Sequence, residues 1–87
     1  MSNNYQEELY TQQELREMDL QMLRDDLVGE LNAINQYQEH IDSLESEEAV
    51  AMLEHIIADE KEHVAELTKL INKLDATQAE KFAKEGL

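Results

Sequence analysis

Glu60 and His63 interrupt a stripe that is otherwise apolar. Ala49, Leu53, Ile56, Glu60, His63, Leu67, Leu70 and Leu74 recur in steps of four and three, which puts all of them on one face of an α-helix. An acid buried without a partner costs several kcal/mol, so Glu60 at a position suited to leucine calls for a proton, a cation or a metal. The same alternation runs earlier through Leu20, Leu23, Leu27, Glu30, Ile34, Tyr37, Ile41 and Leu44, again with one inward acid and, seven residues on, a phenol. Glu60 and His63 stand at i and i+3, close enough to serve one metal ion, and Glu30 can join them only from a facing helix.

The elements that must carry these residues are two long helices. Thr11 with Glu14 forms a capping box that opens a helix from about 12 to 44, preceded by a frayed segment at 1–10. Gly29 lies inside it, beside Glu30, and a mid-helix glycine predicts the close approach of another backbone. After the polar break at 42–46, Ser46 caps a second helix from about 47 to 74. Glu47 and Glu48 lie in its first turn, and Lys69 and Lys73 near its end, as the helix dipole favours. Thr77 to Glu80 reads as another capping box, for a short third helix that Phe82 docks and Gly86 ends. Residues 11–87 thus form one all-α domain.

Composition agrees and excludes much else. The 87 residues include no proline, no cysteine and two glycines, which removes disulfides and thiolate metal sites. No apolar run approaches the ~20 residues of a membrane span, and the start lacks the pattern of a signal peptide, so the expectation is a soluble, untargeted cytoplasmic protein. A formal charge of −14 with only seven Lys and Arg argues against nucleic acid and anionic membranes as partners and leaves cations as the natural counterparts.

Size forces assembly. Two helices of this length have apolar residues on more than one stripe, with Met22, Val28 and Leu31 added on the first and Met52, Ile57, Val64 and Ile71 on the second. A lone hairpin cannot bury them, so the simplest closure is a dimer forming a four-helix bundle across a two-fold axis. The dimer pools Glu30, Glu60 and His63 from both chains: four carboxylates and two imidazoles, the ligand inventory of a carboxylate-bridged di-iron site. Its −4 charge balances two ferrous ions.

The segment Gly29-Glu30-Leu31-Asn32-Ala33-Ile34-Asn35-Gln36-Tyr37, with Asp59-Glu60-Lys61-Glu62-His63 downstream, resembles the encapsulated ferritin family, the two-helix half-ferritins of the ferritin-like superfamily. The likeness covers roughly residues 12–85. It implies a ferroxidase at a dimer interface, with dimers forming a decameric ring inside an encapsulin nanocompartment. It also implies Glu30, Glu60 and His63 as iron ligands, two irons per dimer, and Tyr37 beside the site. Zinc, cobalt, manganese or calcium are possible substitutes. The chain departs from that pattern where Gly29, Asn32 and Gln36 replace metal-uptake acids and a tryptophan of some relatives. At Lys84-Glu85-Gly86-Leu87, too, no small apolar targeting motif stands. The expectation there is a free-standing member, a trimmed chain or the ferritin-like part of something longer.

The activity expected is oxidation of Fe(II) to Fe(III) by dioxygen or peroxide, supporting iron storage or detoxification. A rubrerythrin-like peroxidase, a non-catalytic divalent-metal module and a metal-free helical oligomer are the alternatives. His40 and His55 fall off the seams and read as surface residues, as do Asp59, Glu62 and Glu66, while the methionines read as packing.

Overall fold

The computed structural model describes residues 10–87, and of the frayed segment expected at 1–10 all but Tyr10 lies outside them. The described chain is all-helical: α1 (Gln12–Ser43), α2 (Glu47–Leu74) and α3 (Ala76–Lys84) follow one another, and α1 packs along α2 as a hairpin. At the start of α1, the Thr11 N–H donates to Glu14 Oε1 at 2.9 Å and the Glu14 N–H donates to Thr11 Oγ1 at 3.0 Å, the reciprocal box that its sequence predicts. The Thr11 N–H, and after it the Thr11 hydroxyl, hold the Glu14 carboxyl below its ordinary pKa, the charged form being the better acceptor. Ser46 Oγ accepts from the Ala49 N–H at 3.1 Å and starts α2 where expected.

The third helix begins differently from expectation. Asp75, not Thr77, is its N-cap: Asp75 Oδ1 accepts from the Gln78 N–H at 3.1 Å, and α3 starts at Ala76. Asp75 serves two elements at once. Its Oδ2 accepts from Arg24 Nη2 of α1 at 2.9 Å, so a long-range ion pair pins the α2–α3 corner and outcompetes the local capping box downstream. The Gln78 N–H and then the Arg24 guanidinium lower the Asp75 pKa, and Asp75 raises that of Arg24. With the corner fixed, Phe82 lines a small hollow of about 110 Å³ together with Leu27 and Ile71. Gly86, at φ 80, closes α3 with Leu87 N–H donating to Phe82 O and Gly86 N–H to Ala83 O, a Schellman ending that favours glycine.

The two seams are not buried equally. On α1, Leu20 is buried, and every seam position from Leu23 to Ile41 is at least half-buried. On α2 the buried residues are Ile57 and Ile71, from the neighbouring stripe, while His63, Leu70 and Leu74 stand at the edge of the hairpin. Since α2 is apolar over two stripes and the hairpin provides one partner helix, Ile57 and Ile71 are buried, while the seam runs along the margin with Leu53, Ile56, Glu60 and Leu67 half-buried. The extents of 60 × 39 × 14 Å make the molecule about one helix thick, given a helix diameter of ~10–12 Å.

Candidate metal centre

Glu30 from α1 meets Glu60 and His63 from α2. One ligand atom from each residue lies within 4.8 Å of the other two. His63 Nδ1 is 3.4 Å from Glu30 Oε1 and 3.7 Å from Glu60 Oε2. Helical geometry accounts for this: Glu60 and His63 are one turn apart on α2, and hairpin packing brings Glu30 opposite them. The side chains of Glu60 and Glu30 are 18% and 25% exposed against 49% for His63, so two acids are drawn inward and the imidazole marks an open edge.

The donors fit a divalent metal of nitrogen and oxygen preference. Glu30 Oε2 is buried and has no hydrogen-bond partner, although a buried carboxylate oxygen is costly to leave unpaired. A cation bridged between Glu30, Glu60 and His63 would satisfy it. One imidazole with two carboxylates suits iron, manganese, cobalt or zinc.

This edge opens into a groove of about 610 Å³ whose lining includes Gly29, Glu30, Ala33, His63, Leu67 and Leu70 and the acids Asp25, Asp26 and Glu66. Asp25 and Asp26 escape a sequence reading because they sit off the seam. The available signal was their place about one turn before Glu30, and only the docking of α2 shows that they border the same hollow as Glu66. A flanking hollow of about 400 Å³ shares Asp26 and adds Met22, Leu23 and Leu74. Gly29 departs from expectation within the single chain, for nothing lies within 4 Å of where its Cβ would stand.

Other singled-out residues fall outside the cluster. Tyr37, two turns beyond Glu30 on the same face, is half-buried. His40 and His55 are exposed, and His55 Nε2 is 3.4 Å from Asp59 Oδ2 on the outer surface. Asp59 and Glu62 are exposed as expected.

Residues 17–81, three quarters of the chain and the span holding Glu30, Tyr37, Glu60 and His63, match the family described as ubiquinone biosynthesis protein COQ7. The chain belongs to the COQ7 family. COQ7 proteins form a di-iron carboxylate family of the ferritin-like superfamily, in keeping with the donor set described above. Two curated relatives are also similar. Encapsulin nanocompartment cargo protein EncC of Myxococcus xanthus is 43% identical over 65 residues, which are 75% of this chain and 49% of that protein. Encapsulin nanocompartment cargo protein EncB of the same organism is 36% identical over 66 residues, 76% of this chain and 42% of that protein. The chain spans about half the length of the curated relatives it matches, or less. No solved structure matches it. Among the described residues, no helix is long and apolar enough to cross a membrane.

Proposed function

We propose that this member of the COQ7 family is a ferroxidase whose paired iron site is completed by a second copy of the chain. The observation that carries the reading is the convergence of Glu30, Glu60 and His63 within 4.8 Å around a buried, unpaired carboxylate oxygen. One chain supplies half of what two ions need, and two chains supply four carboxylates and two imidazoles. As a ferroxidase the protein takes iron as substrate: two Fe(II) give up one electron each, and with two protons these convert dioxygen to hydrogen peroxide.

The chain's own residues have separate tasks. Glu30 and Glu60 would bring the negative charge that draws in divalent ions and neutralises them, and with their counterparts in a second copy they would hold the pair. His63 provides a nitrogen donor at the open edge, beside both acids. Tyr37 lies on the same face two turns away, as a neighbour of the site rather than one of its three donors.

Similarity to two proteins named as encapsulin cargo supports a place for this chain inside such a shell in the cytoplasm. A shell would hold ferric product that a thin hairpin dimer has no cavity to store. A second reading, favoured by the family match, is a di-iron oxidoreductase acting on peroxide or an organic substrate. Aerobic Fe(II) oxidation, followed by ferric absorbance, tests the first. Glu30→Ala, Glu60→Ala and His63→Ala are each expected to abolish the fast phase, and His55→Ala to leave it intact. Equal rates across the four variants would overturn the site assignment. A wild-type protein that turns over peroxide with added reductant but leaves Fe(II) oxidation at the background rate would favour the second reading.

A further inference from the structure

His63 meets the two acids with one ring nitrogen and leaves the other unaccounted for. Its Nδ1 stands 3.4 Å from Glu30 Oε1 and 3.7 Å from Glu60 Oε2, so a metal held by the three residues takes Nδ1 and the ring proton belongs on Nε2. Among the described residues no acid is paired with Nε2, and the side chain is 49% exposed, with little packing to fix the ring. A metal-bound imidazole ordinarily donates its second N–H to a carboxylate or carbonyl, which sets the tautomer, orients the ring and strengthens the donor. Five acids lie close by. Asp59 is engaged by His55 at 3.4 Å, and Glu62 does not line the groove. Asp25 and Asp26 do line it, but from the opposite helix and on shorter side chains. Glu66 shares the groove with His63 and follows it by three residues on α2.

We infer that Glu66 is a positioning residue for the metal site, its carboxylate accepting the Nε2–H of His63 when Nδ1 holds the metal. The inference rests on the reading of Glu30, Glu60 and His63 as metal ligands. Residues at i and i+3 of a helix are neighbours, and helical side chains lean toward the N-terminus, so Glu66 leans back over the turn that carries His63. It is exposed and in no ion pair among the described residues, which leaves its carboxylate free to turn onto the ring. Donor and acceptor belong to one helix, so the contact forms within each chain whatever packs opposite. Glu66 itself touches no metal and acts through the imidazole alone.

Cobalt(II), a probe that is stable in air, tests this in the full chain of wild type, Glu66→Ala, Glu66→Gln and Asp26→Asn. Visible absorbance reads the affinity. Proton NMR reads the ring, because the N–H of a cobalt-bound imidazole gives a strongly shifted signal in water that vanishes in deuterium oxide. Wild type is expected to bind cobalt and to show that signal. Glu66→Ala should bind about 10–100-fold more weakly and lose the signal to exchange with solvent, while the metal-free protein melts no lower than wild type, as suits an exposed position. Glu66→Gln keeps an acceptor oxygen, so it should retain the signal at an intermediate affinity. Asp26→Asn removes the same single charge from the groove and should keep the signal, which separates a contact from a general loss of charge. Wild-type affinity and signal in Glu66→Ala, or a lost signal in Asp26→Asn, would overturn the role of Glu66 and leave the metal site standing. A wild type that binds no cobalt would overturn both.

Discussion

At the scale of single residues, the proposed metal site gives Glu30 a role other than the stability of its own chain. One of its oxygens faces His63 at 3.4 Å, and the other is buried without a partner. Leaving such an atom unpaired costs on the order of 1–3 kcal/mol, so an apolar side chain of similar size is better tolerated where no cation is bound. Glu30→Leu is therefore expected to raise the thermal midpoint of chelator-treated protein while abolishing metal uptake. Calorimetry with and without ferrous ion under anaerobic conditions checks both halves. A lowered midpoint in chelator would show that Glu30 already has a stabilising partner. Glu30, Glu60 and His63 were legible in the sequence because each replaces an aliphatic residue on a regular stripe, which is a conflict visible without coordinates. Asn72, whose buried Oδ1 also has no partner, carried no such conflict, because it stands off the seam of α2.

At the scale of the elements, local chemistry decided the ends that local chemistry alone determines. Thr11 with Glu14, and Ser46, use side chains within three residues of the backbone groups they satisfy, and those helix starts could be read directly. Asp75 could not, since its second oxygen is claimed by Arg24, 51 residues away. Likewise, α2 has two apolar stripes, and only docking against α1 reveals that Ile57 and Ile71 turn inward. The Asp75 corner gives a pH prediction. Its carboxyl pKa is lower in the folded protein than unfolded, so the stabilisation is complete above the ordinary carboxylate range and is lost as pH falls through the depressed value. Asparagine retains the cap but not the charge. Asp75→Asn should therefore melt below wild type at neutral pH and converge with it in acid, by circular dichroism between roughly pH 2 and 7. A constant gap across that range would mean that the charge of Asp75 is not what holds the corner.

For the whole molecule, thinness and charge oppose each other. A hairpin 14 Å thick whose buried apolar residues are only Leu20, Ile57 and Ile71, among those described, gains by covering Met22, Leu70 and Leu74. Pairing two chains of −14 works against this, the more so where four inward acids would meet. Metal and salt relieve the repulsion in different ways. Screening weakens charges separated by more than the Debye length of about 10 Å at 0.1 M salt, but it leaves the central carboxylates close together and poorly hydrated. Ions held at the proposed site between Glu30, Glu60 and His63 would neutralise those acids directly. Sedimentation should accordingly show metal-free protein associating weakly at low salt and somewhat more at about 0.5 M. Ferrous ion under anaerobic conditions should complete dimer formation at either salt, with an apparent affinity that changes little between them. In Glu60→Ala the salt response should persist while the response to metal disappears, because the exposed surface charge is almost unaltered and the donor set is broken. If salt alone matched the effect of ferrous ion in wild type, diffuse repulsion would be the whole barrier, and the inward acids would have no part in assembly.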